Sequence, residues 1–370
     1  MSTPLKDLRV VEIAGLGPSP HACMLLSDLG ADIVRIERPG DLDQEAFRHT
    51  LRGRTIVHAD LKVPSDLQYV RSLISKADVL VEGFRPGVME RLGIGPQQAS
   101  ELNPRLIYAR MTGWGQDGPM AERAGHDINY ISLTGALHAI GDDKQPLPPL
   151  NLSGDYGGGS MMLLVGVLSA LYEREHTGNG QVVDAAMVDG VSLLLQQILE
   201  FRSKGAWNDS RAKNFLDGGA PYYRTYECAD GHFVAVGAIE RQFYAQLLDG
   251  LELDESQLPD RNDRDSWEIL SKIFADCFRS RSRHHWVEVF NGTDACVTPV
   301  LTFEEVPHHQ HIAARESIIK SKDGALIGTR APRFLSYDGQ PLTSDPAEEQ
   351  TKLASLPEMI RAWDAIPVQP

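Results

Sequence analysis

The sequence predicts an α/β protein: a Rossmann-like large domain built on a parallel sheet, joined to a smaller α+β domain. Two patterns carry that expectation. Across the first third, short β-branched runs alternate with helical segments, as in a parallel sheet covered by helices. After residue 221, two β-type runs flank Ala229-Asp230-Gly231, a hairpin signal, and helical patterns follow. At 370 residues the chain has room for two domains of roughly 100–200 residues each.

Residues 8–14 (LRVVEIA), 31–37 (ADIVRIE), 55–61 (TIVHADL), 78–83 (DVLVEG) and 106–112 (LIYARMT) read as five strands. Between the first two, Met24, Leu25, Leu26 and Leu29 give residues 18–30 an apolar helical face, and Gly30 ends it, as a crossover helix requires. Residues 113–158 hold nine glycines and four prolines and read as loop, interrupted by a short helix over 126–135. Two apolar helices are expected next, over 160–175 and 185–203, with the turn-rich HTGNG between them. The first is apolar around most of its circumference, the mark of a core helix. Polar, glycine-containing residues 205–221 read as a linker. Runs 222–228 and 232–238 read as strands, and 240–251, 265–280 and 283–291 as helices. The expected domains are therefore 1–204 (large), 222–312 (small) and a return segment, 313–370, packing on the large domain with helical character near 356–364.

Hydrophobic residues make up 42% and charged residues 24%, which suits a globular core and excludes a disordered or fibrous chain. The formal charge of −15 argues against nucleic-acid binding, so any anionic ligand must meet a local basic cluster. Cys23, Cys228, Cys277 and Cys296 lack CxxC spacing, so no metal site or disulfide framework is expected, and a reducing, cytoplasmic compartment is. No window reaches the roughly 18 apolar residues of a membrane span, and the N-terminus lacks the pattern of a signal peptide.

Four local patterns could carry chemistry. Gly15-Leu16-Gly17-Pro18-Ser19-Pro20 stands where a dinucleotide fingerprint would, but Pro20 replaces the third glycine, and a tight turn explains it as well. Arg35, Arg38, Arg52, Arg54, Lys62, Arg85 and Arg91 cluster near strand ends; they suit a phosphate-rich ligand or are surface charge. AGHDINY places His126 at the start of a short helix, where free N–H groups could hold an oxyanion; a lone histidine can equally be structural. NLSGDYGGGS puts Asp155 in a glycine-rich turn at the mouth of a helix, as a site carboxylate or an N-cap. Glu240, after a strand, is open to the same two readings.

Together these pieces resemble the α-methylacyl-CoA racemase branch of the family III CoA transferases. The likeness rests on LRVVEIAGLGPSPHACMLLSDLGADIVRIERP, ADLK (59–62), VEGFRPGVMERLG, ARMTGWGQDGP, AGHDINYISLTGALHAIG, GDYGGGSMMLLVGVLSAL, GQVVDAAMVDG, GGAPYYRTYECADGHFVAVGAIE and DACVTPV, and runs along nearly the whole chain. It implies two interlocked chains forming a homodimer, with the acyl-CoA thioester along the carboxyl edge of the large sheet. By motif match, Arg38, Ala59, Asp60, Leu61, Lys62, Gly83, Phe84, Arg85 and Arg91 would hold the nucleotide and pantetheine. Gly125, His126, Asp127, Ile128, Asn129 and Tyr130 would hold the thioester. His126 and Asp155 would be the two acid/base residues, with Glu240, own or partner's, orienting His126.

The resemblance also implies a role in lipid metabolism, with CoA as part of the substrate and no further cofactor. Inverting a carbon α to a thioester needs a base on each face and stabilisation of the enolate oxygen. The N–H of Asp127 is the expected donor. Asp155 must hold a proton part of the time near neutral pH, which requires a pKa above the ordinary value of ~3.9. Met111, Met161, Met162 and Met187 are candidates for an adaptable acyl surface. The nearest alternative is a CoA transferase with Asp155 as nucleophile; a catalytically silent CoA-binding protein would lack one of His126, Asp155 and Glu240.

Overall fold

The structure is a computed structural model and describes residues 3–40, 49–341 and 351–365. The chain divides into two compact units, Met1–Thr134 with Pro149–Leu195 and Gln310–Pro370, and Gly135–Pro148 with Gln196–His309.

Twelve strands occur among the described residues: β1 (Arg9–Ile13), β2 (Asp32–Glu37), β3 (Arg54–His58), β4 (Val79–Glu82), β5 (Ile107–Thr112), β6 (Val182–Ala186), β7 (Tyr223–Glu227), β8 (Phe233–Gly237), β9 (Val297–Pro299), β10 (Ile318–Lys320), β11 (Leu326–Gly328) and β12 (Lys352–Leu353). Seven form one all-parallel sheet in the order β12-β3-β2-β1-β4-β5-β6. Its central strands are buried at nearly every position, as expected for a sheet covered on both faces. Because side chains alternate, Val11 and Ile13 face Val70, Leu73 and Ile74 of helix Pro64–Ile74 and Trp363 of helix Leu356–Asp364. Val10 turns the other way, to Ala22 and Leu26 of helix Pro18–Asp28 and Leu163 and Val167 of helix Met161–Thr177.

The five expected strands form, each shorter by one or two residues, and β3 begins one residue earlier than expected, at Arg54. The segment expected as one helix over 185–203 is different: it opens with β6, whose Tyr108↔Val182 to Thr112↔Ala186 register extends the sheet. Helices Met187–Leu194 and Gln196–Ser203 follow. Residues expected as a glycine-rich turn around Asp155 are a π-helical run, Leu152–Ser160, continuous with helix Met161–Thr177. That helix is not buried all round in the single chain: Leu163, Val167 and Ala170 face the sheet, while Val165, Leu168 and Tyr172 are exposed.

The C-terminal segment contributes more than a helix. It adds the β10–β11 hairpin and edge strand β12, and Trp363, 1% exposed, locks helix Leu356–Asp364 by donating from Nε1 to Asp32 Oδ2 at 2.7 Å.

In the second unit β7, β8 and β9 form an antiparallel sheet, with Gly231 at φ 74° in the turn. Tyr226, Val234 and Val236 pack with Tyr244, Phe274, Phe278, Trp286 and Phe290 from helices Arg241–Gly250, Trp267–Arg279 and Arg283–Phe290. The stretch expected as a linker, 205–221, belongs to this unit. Wholly buried Asn214 donates to the Asn208 carbonyl (2.9 Å) and Asp217 Oδ2 (2.8 Å), a satisfied polar core that a free linker would lack. Gln196–Ser203 joins it through Phe201 on Phe215 (5.1 Å), and 135–148 through Arg211, which donates to the carbonyls of His138 and Asp142.

Candidate active site

In this strand order the chain reverses direction across the sheet between β1 and β4, where a doubly wound fold leaves a crevice at the carboxyl ends. The turn after β1 and the loop after β4 open a cleft of about 460 Å³ there. Leu16, Gly17, Pro18 and Ser19 line one side and Gly83, Phe84, Arg85 and Pro86 another; the rest of the wall includes Gly125, His126, Asp127, Tyr130, Asp155, Met111, Trp114, Met187 and Arg123.

His126 is the N-cap of helix Asp127–Leu133, with extended backbone (φ −134°, ψ 173°) and an exposed side chain. Its N–H donates to Asn129 Oδ1 at 3.1 Å, and its carbonyl accepts from Asn129 N at 2.8 Å, so the helix start holds the histidine's backbone in place. Tyr130 anchors the same turn: its hydroxyl donates to the Gly125 carbonyl and its ring meets Trp114 edge-on at 4.7 Å. Burial, with Asp155 nearby, pushes the Tyr130 phenol up. Ile128 and Asn129 are exposed on the outer face of this helix.

Asp155 reaches the cleft from a different element, the π-helical run. That run is set by close packing: a Cβ on Gly190 would stand 1.9 Å from the Gly158 carbonyl oxygen, so helix Met187–Leu194 abuts it backbone to backbone. Gly158 and Gly190 make that close packing possible. On its other side Tyr156 stacks on His21 (4.2 Å), whose Nδ1 lies 2.7 Å from Ser160 Oγ, and burial and then Arg52 hold the His21 imidazole below its ordinary pKa.

Burial raises the Asp155 carboxyl above the ordinary carboxylate range, and the Asp127 charge adds to it. The Asn151 amide, donating to Oδ2 at 3.3 Å, and His126 pull the other way. Sequence reasoning missed Asn151; its i,i+4 spacing from Asp155 becomes a signal once the segment is helical.

The basic residues fall into two groups. Arg35, Arg52 and Arg54 lie buried beneath the edge and are already paired: Arg35 with Glu12 and Glu37 (2.7 Å), Arg52 with Asp28, Arg54 with Glu12 (2.7 Å). They are not ligand-facing, because a buried guanidinium must be matched by charge from within the fold. Arg38, Lys62, Arg85 and Arg91 remain exposed around the edge. Arg38 stands 3.9 Å from Asp60, whose carboxylate accepts from Lys62 N (3.0 Å); buried Ala59 donates to the Glu37 carbonyl, and Leu61 packs on the core. Unanticipated was Glu82, wholly buried, which accepts from Phe84 N (2.7 Å) and Arg110 Nε (2.8 Å) and so shapes the loop carrying Gly83 and Arg85.

Pro18 and Pro20 remove two of the first three N–H donors of helix Pro18–Asp28. A dinucleotide pyrophosphate would need them, so Gly17, at φ 69°, makes a tight turn and not a fingerprint. Asp155 occupies that turn, with Oδ2 3.3 Å from where a Cβ on Gly17 would stand. Met111 and Met187 line the cleft; Met161 and Met162 are not among its lining residues. Glu240 lies in the second unit, exposed, at the N-cap of helix Arg241–Gly250. Among the described residues no His/Cys/Asp/Glu cluster is arranged for a metal ion, and no helix is long and apolar enough to cross a membrane.

The chain is 48% identical to the α-methylacyl-CoA racemase of Mus musculus over 329 residues, covering 89% of this chain and 85% of that protein. It is 44% identical to the α-methylacyl-CoA racemase of Homo sapiens, covering 93% and 92% of the two. A CAIB/BAIF family protein from Brucella suis has the same fold, with a TM-score of 0.81 at 25% identity over 98% of this chain and 99% of that one. The model of CoA-transferase family III matches residues 5–357. On that match, and on its likeness to these relatives, the chain belongs to CoA-transferase family III.

Proposed function

We propose that the protein is an isomerase that interconverts (2R)- and (2S)-2-methylacyl-CoA thioesters by moving the α-proton between two bases. The observation that carries this reading is that His126 and Asp155, from separate elements, line one cleft together with exposed Arg85 of the sheet edge. The two relatives named as α-methylacyl-CoA racemases support it.

In one direction neutral His126 takes the proton from the α-carbon, and the C–H electron pair moves to the thioester oxygen as an enolate. The N–H of Asp127, at a helix start and so without an intrahelical acceptor, faces that charge. Protonated Asp155 then donates to the opposite face of the same carbon, leaving imidazolium and carboxylate. That pair is the starting state for the other enantiomer. The raised Asp155 pKa keeps its proton available, and the opposing pull of Asn151 and His126 keeps it removable.

The CoA portion lies along Arg38, Ala59, Asp60, Leu61, Lys62, Gly83, Phe84, Arg85 and Arg91, with the thioester at Gly125 to Tyr130. Glu240 orients the His126 imidazole, from its own or a second chain of a homodimer, and no cofactor beyond the substrate's CoA takes part. The protein works in the cytoplasm, in the metabolism of branched acyl chains.

The test is NMR in D2O with each 2-methylacyl-CoA enantiomer, beside His126→Ala and Asp155→Ala. Deuterium entry from both enantiomers, converging on a near-equal mixture and lost in both variants, is expected. CoA transfer to an added carboxylate, dependent on Asp155 alone and without exchange, would instead make Asp155 a nucleophile.

A further inference from the structure

The Asp127 side chain has no part in the reading above, which uses only its N–H. Asp127 is 9% exposed and lines the cleft. Oδ2 accepts the backbone N–H of Asp155 at 2.7 Å. The carboxyl lies against Gly154: a Cβ there would stand 2.4 Å from Oδ2 and 2.7 Å from Cγ, so this approach exists only because residue 154 is glycine. Asp127 is the first residue of the helix that His126 caps, and Asp155 sits on the π-helical run. One charge-assisted hydrogen bond therefore ties the backbone of one base to the residue next to the other.

We infer that the Asp127 carboxylate is a positioning residue that fixes the separation of His126 and Asp155 across the α-carbon. The inference rests on the two-base reading. Transfer to opposite faces of one carbon demands that both bases keep their places through the reaction, and a shift of about 1 Å can reduce such a rate about 100-fold.

The tie has an electrostatic side. The groups acting on Asp155 are Asp127 and His126 from the short helix and Asn151 from its own segment. From the neighbouring helices, His21 is engaged with Ser160 and Tyr156, and Asp189 bears on Asp184. Asp127 is the charged neighbour that pushes the Asp155 pKa up. An asparagine at 127 keeps an oxygen acceptor for Asp155 N but removes that charge.

The experiment is α-proton exchange of both enantiomers in D2O across a pH series, for the full-length wild type, Asp127→Ala, Asp127→Asn and Gly154→Ala, with thermal unfolding alongside. Asp127→Ala is expected to lower kcat for both enantiomers by about 30-fold with KM changed much less. Gly154→Ala, pushing the carboxyl from the other side, should lower kcat similarly. Asp127→Asn should lose only about threefold. For the enantiomer that Asp155 deprotonates, the rate rises with pH as that carboxyl loses its proton, so the acid limb of kcat/KM should move to lower pH in Asp127→Asn.

Wild-type kcat in folded Asp127→Ala, or an unmoved acid limb in Asp127→Asn, overturns the inference and leaves the two-base reading standing. If Asp127→Ala does not fold, the acid limb of Asp127→Asn decides. Absence of exchange in the wild type overturns the reading itself, and the inference with it.

Discussion

Two sets of cations lie along the first four strands and the turns that follow them, and they do opposite things. Arg35 and Arg54, at most 1% exposed, share Glu12 beneath the sheet edge; Arg85 and Arg91 stand in solvent around it. Residue type is the same in both sets. What differs is whether the fold itself supplies the counter-charge: the buried guanidiniums are matched by Glu12, Glu37 and Asp28, so nothing is left over for a ligand. An acidic protein that binds an anionic ligand must keep cations unmatched where the ligand lies, and Arg85 and Arg91 are such cations at the edge.

The sharpest break of this comparison comes from removing a buried member. Arg54→Met leaves Glu12 with one partner and frees the carbonyls of Pro20 and Thr50, to which Arg54 also donates. The expected loss is about 3–5 kcal/mol of stability, read from the urea midpoint, because an uncompensated buried charge remains. Arg85→Ala should leave that midpoint within about 0.5 kcal/mol of wild type. Equal losses in the two variants would erase the distinction. Glu82→Ala tests the boundary between the sets: it removes the acceptor of Phe84 N and a partner of Arg110, which also holds Glu90 at 2.8 Å. A loss of about 2 kcal/mol is expected, with weaker acyl-CoA binding as the loop loosens.

The sequence displays charge and periodicity but not burial, and this explains what was legible. Strands β1 to β5 were readable because each is an apolar run closed by turn residues. β6 was not, since VVDAA is short and runs directly into helix Met187–Leu194. The π-helical run was hidden by its glycines, which mark a turn in isolation and make room for Gly190 in the fold. Strand β12 has two residues and exists only through its pairing with β3. In the site, His126 and Asp155 stood out by motif. The partners that tune Asp155, Asn151 and the Asp127 carboxyl, could not be found before the segment's helical register was known.

Smaller effects belong to the edge. Arg85→Ala and Arg91→Ala should each raise KM for acyl-CoA about 10-fold with kcat nearly unchanged, the loss of one charge-assisted contact to phosphate or pantetheine. The increase should shrink as salt is added, since exposed charges are screened within about 10 Å at 0.1 M. A KM unaffected in both variants would move the ligand off this edge.

Arg38 should give the least. It is exposed like Arg85, but at 3.9 Å from Asp60 it is loosely shared with a carboxylate that also accepts from Lys62 N. Asp60 therefore shapes the turn after β3 while subtracting from the positive field beside it. Asp60→Asn keeps an acceptor for Lys62 N and removes the charge. It should lower KM by about twofold at low salt and by less at high salt, the size of an exposed pair. A raised KM would mean that the carboxylate itself touches the ligand, and that the edge discriminates by its acids as well as by its cations.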